Sequence, residues 1–467
     1  MIAPIQFEFR FHQPRPEGRR PREEDAPMRL LMMADLSGHR NRTASGGEHA
    51  TRRPMRIDID SFDTVFSRIA PTFRPDVPPG ATPVAFAFGS LDDFHPDRLL
   101  PGLRAGFPAP VPAVPAPATS PPADDTADTM ERLLGRRPST QPPASGVDAF
   151  IRTVVAPHIT PAAPAAADSN HDTETAALRA VLHHPAFQRL EAAWRGVHWL
   201  ANRLPLDDGR LELHVLDLSR ADIEEDLLAA GESLEHARLY RTLVTDTPWS
   251  VIVSDLAFGP TDADVSLLAA LGAIAAHAGG PLLAAARPEI AGLAAFRDAP
   301  DARDWPSLGA PQRRVWDALR GSALAPWIGL AAPRMLLRQP YGHRSDPIDT
   351  FDFDELGESR EHEHYLWGSG ALAVVSLMAE SFDEAGWAFS PGDRLDVEDL
   401  PVHTYHEEGE SRLQACAEAF LGERGYEALL AAGVMPLMSA RHRGAVRLLR
   451  MQSIASPAAA MAGPWRS

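Results

Sequence analysis

Lysine is absent from the 467 residues. That excludes a P-loop lysine, a Schiff-base lysine and the lysine of a protein-kinase site. A single cysteine, Cys416, allows neither an internal disulfide nor a cysteine metal cluster, and it points to a reducing compartment. Basic side chains are few enough to leave a formal net charge of −18, which disfavours nucleic acid and anionic membranes as partners. The opening MIAPIQFEFRF carries charges where a secretory signal needs an apolar run. One stretch, residues 267–286, reaches spanning length, but Gly279-Gly280-Pro281 interrupts it; a buried helix, a turn and a buried strand fit better than membrane insertion. No dinucleotide fingerprint, nucleophile elbow or P-loop occurs.

Proline, by contrast, is abundant at 44 residues and unevenly placed. Ten prolines fall between Pro108 and Pro143, which marks a linker with extended, polyproline-like character. Three regions follow: a small α+β unit over 1–107, the linker over 108–146 with a possible short helix bearing Met130, Leu133 and Leu134, and a larger body over 147–467. In the first, MRLLMMADLSG (28–38) and RPMRIDID (53–60) read as strands. SFDTVFSRIAP (61–71) reads as a helix capped by Ser61 and stopped by Pro71, and TPVAFAFGS (82–90) as a third strand. In the body, apolar strands at 211–219, 249–258, 281–288 and 327–333 alternate with helices. Ser219 and Asp222 form a capping pair for the helix after the first of these strands, and a long helix is expected over 363–386. The fold class expected is α/β.

FQRLEAAWRGVHWL (187–200) poses the sharpest question. Phe187, Leu190, Trp194 and Val197 share one helical face, and Gln188, Arg189, Glu191 and Arg195 take the other. Gly196 permits close approach or a bend. The stretch carries no nucleophile or paired acid, so packing outweighs ligand contact. EHEHY (361–365) invites a metal reading, but histidines two apart point about 200° apart on a helix, and a solvated helix start accounts for them. Glu398, Asp399, His403 and His406 could compose an acid–base site; a surface strand or loop is the plainer reading. The acids of IDTFDFDELGES (348–359) lack a calcium-loop spacing. No cofactor or metal is expected.

Three motifs in order, Asp35-Leu36-Ser37-Gly38, RPMRIDIDSFD and GSLDDFHPDRLL (89–100), resemble the small sheath subunit of bacterial type VI secretion systems. HHPAFQRLEAAWRGVHWL (183–200), LHVLDLSRADIEEDL, WSVIVSDLAF, AAHAGGPLLAAARPEI, WIGLAAPRMLLRQPYG (327–342), HYLWGSGALAV and VEDLPVHTY (397–405) are similar to the large subunit of the same sheath. The resemblance covers most of 25–100 and 147–455. It implies a fused sheath protomer with no enzymatic role, whose partners are other sheath subunits, an inner-tube protein, a baseplate and an unfoldase of the AAA+ class. That unfoldase would grip the Met130–Leu134 helix. Motif position puts packing or partner contact at Leu91, Asp92, Asp93, Phe94 and Pro96; at Trp194, Arg195 and Gly196; at Pro333, Arg334, Pro340, Tyr341, Gly342 and Trp367; and at Glu398, Asp399, Leu400 and Pro401. The chain departs from the family in its proline linker, in SPGDRLD (390–396) where a glycine run is usual, and in stopping at Ser467. Those departures leave open a cap, nucleator or regulator of a sheath built by other subunits, and, more remotely, an enzyme on the α/β core.

Overall fold

The computed structural model describes residues 25–38, 53–75, 85–106, 164–298, 301–357, 360–407, 409–440 and 443–465. Met130, Leu133 and Leu134, and the linker that holds them, lie outside the described residues. The first part supplies β1 (Met28–Ala34), β2 (Met55–Ile57), α1 (Phe62–Ile69), β3 (Thr72–Phe73), β4 (Phe86–Ala87) and α2 (Pro96–Gly106). After the linker come α3 (Pro164–Leu182), α4 (Pro185–Arg203), β5 (Leu211–Asp217), α5 (Arg220–Ala230), α6 (Arg238–Leu243), β6 (Val251–Phe258), α7 (Asp262–Ala278) and β7 (Leu282–Ala286). The chain continues through α8 (Ala310–Arg320), β8 (Ile328–Ala332), β9 (Met335–Leu336), β10 (Trp367–Gly368) and α9 (Ala371–Ala385). It closes with β11 (Asp396–Val397), β12 (His403–Glu407), β13 (Glu410–Gln414), α10 (Glu423–Ala431), β14 (Val434–Ser439) and β15 (Val446–Leu448).

Nine of the strands form one sheet in the order β11-β15-β14-β8-β7-β6-β1-β5-β2. The six from β14 to β5 run parallel, and short antiparallel strands finish both edges. The fold is α/β, as expected. The decisive feature is the place of β1. It pairs with β5 along its whole length, Met28↔Leu211 to Ala34↔Asp217, and with β6 from Leu30↔Val251 to Met33↔Ser254. Strands from both sides of the proline-rich stretch therefore share one sheet.

Period-two alternation along β1 serves two cores at once. Leu30 and Met32 face the layer that holds α1, α2, α4 and α9; Leu31 and Met33 face the layer that holds α7, α8 and α10. Helix α7 is apolar almost all round because it is covered almost all round, with Thr261 capping its start through the Asp264 amide and Gly279 closing it in the left-handed region. The 267–286 stretch is thus a buried helix, a turn and a buried strand, and among the described residues no helix is long and apolar enough to cross a membrane.

Several local expectations change. Ser61 bonds backward to Asp58 instead of capping α1; of the expected third strand, Phe86–Ala87 are paired and Phe86 and Phe88 face inward, while residues 82–84 lie outside the described residues. The helix expected from 363 begins at Ala371. Before it, His362–His364 make one tight turn and Trp367–Gly368 pair with β9, because the Trp367 ring stacks on His362 and its indole donates to the His362 carbonyl at 2.8 Å. His362 is consequently buried, which corrects the solvated reading of EHEHY.

Because β1 is central, cutting a protease site engineered between 108 and 146 should leave the two fragments co-eluting in gel filtration and separating only in denaturant. Separation under native conditions would mean that β1 is not held as described.

Candidate functional site

Helix α4 carries the Trp-Arg-Gly centre, and each of its three residues has a distinct task. Trp194 is fully buried, its indole donates to the Leu36 carbonyl at 2.7 Å, and its ring lies 4.3 Å from Phe66 and 5.7 Å from Phe62. It therefore grips the Asp35–Gly38 turn that ends β1. That turn is pinned on its other side by Asp217, whose carboxylate accepts from the Ser37 amide at 3.0 Å. Gly38 takes φ +66, and a Cβ there would meet the Thr72 carbonyl oxygen at 2.2 Å. At Gly196 a Cβ would meet Leu372 at 2.9 Å, so the glycine serves close approach of α4 to α9 within a continuous helix.

On the polar face of α4, Arg189 is exposed and Gln188 and Arg195 are half-buried, but one residue departs from the pattern. Glu191 is fully buried. It accepts from Arg195 Nε at 2.7 Å and from Arg338 at 2.7 and 3.2 Å. The other side of Arg338 holds Glu355 through bonds of 2.7 and 3.0 Å. The Tyr341 amide donates to Glu355 at 2.7 Å, Arg195 reaches the Tyr341 hydroxyl at 2.9 Å, and the Arg338 guanidinium sits 4.1 Å over the Tyr341 ring. Two carboxylates and two guanidiniums sum to zero charge. Burial alone would raise the Glu191 carboxyl, but Arg338 and Arg195 hold it below its ordinary value. Burial pushes the Tyr341 hydroxyl up to about 12.

A second ionic group adjoins it. Arg334, which follows a cis Ala332–Pro333 bond, clasps Glu418 at 2.7 and 2.9 Å and Glu363 at 2.9 and 3.1 Å. Burial works to raise Glu418; bonds from His362 and Arg334 overcome it and hold the carboxyl at about 2. The His183 ring stacks on His364 at 3.7 Å, and its buried Nε2 finds no hydrogen-bond partner among the described residues.

The other sequence-marked residues divide. Phe94 stacks on Phe88 at 4.4 Å and lies 6.3 Å from Phe66, joining the Trp194 cluster. Asp93 accepts from the Gly89 and Ser90 amides, Leu91 packs on the same core, Pro96 begins α2, and Asp92 is exposed. Gly342 donates to Asp346, and Pro340 accepts from Ser345. Glu398, Asp399, Leu400 and Pro401 form a separate turn, where the Glu398 carbonyl accepts from Arg203 and the Leu400 amide donates to Gly444. His403 pairs with Tyr365 and His406 with Arg344. Among the described residues, no cluster of three or more His, Cys, Asp or Glu could hold a metal ion.

A cleft of about 710 Å³ opens at the carboxyl ends of β1, β6 and β7, the switch point of the parallel order. Burial, with Asp35 adding, pushes Asp255 in its wall up to about 7. Of its other charged groups, Arg220 and Arg287 bind Asp264, and Arg334 binds Glu363 and Glu418. Glu191, Arg338, Glu355 and Glu418 were missed by sequence reasoning. The available signals were the four-residue spacings Glu191–Arg195 and Arg334–Arg338.

Fold and site together define an α/β body: one nine-stranded sheet braced by the Trp194 packing cluster and by a neutral ionic node. Residues 172–455 match the family described as EvpB/VC_A0108, tail sheath N-terminal domain (VipB), and the chain belongs to that family. Residues 13–103 match the family described as type VI secretion system, VipA, VC_A0107 or Hcp2. The type VI secretion system sheath protein TssC1 of Pseudomonas aeruginosa is 29% identical over 300 residues, covering 61% of this chain and 59% of that protein. The chain thus spans less than two thirds of that relative's length.

Replacing Arg338 by Met should destabilise the fold by about 3–5 kcal/mol, since it leaves the buried Glu355 without a cation and Glu191 with Arg195 alone; adding Glu355→Gln should recover part of that. Denaturant midpoints measure both, and a loss under about 1 kcal/mol would mean that water screens the node. Acid should weaken the fold early. Burial, with His364 and Arg338 adding, lowers His183 to about 3, and burial with Arg29 lowers His214 to about 4. Unfolded histidines take up a proton near pH 6.5, so this stability is fully present above that pH and falls as pH drops toward 4 and 3. Each histidine contributes at most about 1.4 kcal/mol per pH unit, reduced by partial solvent screening. Asp255, raised to about 7, takes up its proton in the folded state over the same interval and offsets about one histidine, so the net loss shows mainly below pH 6; unfolding free energies flat between pH 6 and 4 would contradict this.

Proposed function

We propose that this chain is a structural subunit of a type VI secretion contractile sheath, in which a small-subunit-like part (1–107) and a large-subunit-like part (147–467) are joined by the linker of 108–146. The observation that carries the reading is the insertion of β1, from the VipA-matched part, between β5 and β6 of the VipB-matched part. One chain then supplies both halves of a single body. Its partners are other sheath subunits, an inner-tube protein that the assembly surrounds, and a baseplate, all in the cytoplasm. An unfoldase of the AAA+ class would take hold at Met130, Leu133 and Leu134.

The work is mechanical. Contraction needs interfaces with two arrangements of the same patches, moved by bodies that do not themselves deform. The Trp194 clasp and the Arg338 node support that rigidity, because each ties segments far apart in sequence into one unit.

Negative-stain electron microscopy of the protein expressed alone, and then with separate full-length sheath subunits, tests the proposal. Tubes or cogwheel-like rings are the expected result. Monodisperse particles that join existing tubes at their ends would replace it with a capping role, and particles indifferent to sheath subunits would overturn it.

A further inference from the structure

Strand β6 is irregular at one place. Its pairing with β7 runs from Ile252↔Leu282 and Val253↔Leu283 to Ala257↔Ala285, so β6 advances four residues where β7 advances two. The extra residues form a bulge, which the Ser254 hydroxyl braces by accepting from the Leu256 amide at 3.2 Å. The strand is buried along its length except at Asp255, Leu256 and Ala257, which are half-buried and line the cleft. Bulges re-aim side chains, and this one turns a carboxyl into the cleft wall from a central parallel strand, where apolar residues are the rule.

A second carboxyl is beside it. Pairing of β1 with β6 stops at Met33↔Ser254, so Asp35 and Asp255 follow just past the last pair, both in the cleft wall. Asp255 accepts from the Asp35 amide, which fastens the bulge to the end of β1. Burial and the Asp35 carboxylate oppose ionisation of Asp255; Arg189 of α4 favours it, more weakly. Elsewhere in the cleft, Arg220 of α5 and Arg287 after β7 bind Asp264 of α7, Arg334 binds Glu363 and Glu418, and Glu289 adds a further carboxylate. Helix α9 presents Leu372 there, and Asp217, on the far side of β1, holds the Ser37 amide.

We propose that the β6 bulge is a proton-operated latch on the carboxyl end of β1. With Asp255 protonated, the two carboxyls lie side by side and the bulge stays closed. With both ionised, repulsion swings Asp255 out into the cleft and releases the Asp35 amide. The cleft, at about 710 Å³, has room for the displaced side chain, and half-exposure gives the proton a way in and out. Asp255 is pushed up to about 7, so the two states exchange near neutral pH. Between the unfolded value of about 3.9 and 7, the folded chain keeps a proton that the unfolded chain has released. The contribution of Asp255 to stability therefore falls as pH rises through that interval and levels off above it. The movement is local, because the Trp194 indole and Asp217 still hold Leu36 and Ser37. The latch belongs to the body itself and does not depend on what that body assembles into.

Hydrogen exchange of the full-length protein at pH 6 and pH 8, corrected for the intrinsic pH dependence of amide exchange, tests this. Amides of Asp35 and of residues 254–257 should be at least about threefold less protected at pH 8, with those of β7 unchanged. Asp255→Asn fixes the neutral form and can still accept from the Asp35 amide; it should remove the difference and keep the protection seen at pH 6. Asp35→Asn keeps the titrating carboxyl and removes its neighbour's charge, so the change should move to lower pH. Equal corrected protection at the two pH values in the unmodified protein would overturn the proposal. So would a difference that survives Asp255→Asn, since another group would then be titrating. A change that Asp35→Asn leaves at the same pH would overturn it too, since the two carboxyls would then be uncoupled.

Discussion

Every layer of this molecule depends on β1 lying between β5 and β6. Those two strands are consecutive in the second part of the chain, yet they are not neighbours in the sheet. Without β1 the gap between them is one strand wide, and each core loses a pair of central side chains: Leu30 and Met32 from one, Leu31 and Met33 from the other. Neither part then owns a complete hydrophobic core, and a half-built parallel sheet has no stable form of its own. The turn after β1 is accordingly held from two directions, by the Trp194 indole and by the Asp217 carboxylate.

The ionic node extends the same logic to the far side of α4. A buried ion pair adds little net stability over a well-packed apolar alternative, because desolvation offsets the Coulombic gain. What it does impose is a penalty on every arrangement that separates its members. Glu191, Arg338 and Glu355 come from a helix and two loops, and each carboxylate has its oxygens filled by guanidinium or amide donors. Sliding α4 by one turn would strand two charges. Specificity of packing is therefore the better account of the node, and Arg334 with Glu363 and Glu418 repeats it at the rim of the cleft.

Much of this was legible in the sequence, and the failures share a cause. Strands β5 to β8 and helix α7 declare themselves because their apolar pattern is local and complete. Trp194 was readable as an anchor from its place on the Phe187–Leu190–Val197 face. Glu191 was not, since a carboxylate on the polar side of a helix looks solvated until its partners arrive from 147 residues away. The acids around Asp354 and Glu355 suggested a cation, and the cation is a guanidinium of the chain itself. The helix expected from 363 began late for a similar reason: Trp367 fits a helical pattern, but its ring is committed to His362 and its backbone to Leu336.

The edges of the sheet follow from what lies between them. Six parallel strands are buried on both faces, and the last ones on either side are antiparallel strands of two or three residues, β11 and β2. Edges that short offer few main-chain groups to another chain, so lateral growth of the large sheet is disfavoured. Among the described residues the large sheet is then the interior of the body, with helices, loops and the separate β12–β13 hairpin around it. A sheet arranged in that way can be moved as a piece, with change confined to the surfaces around it.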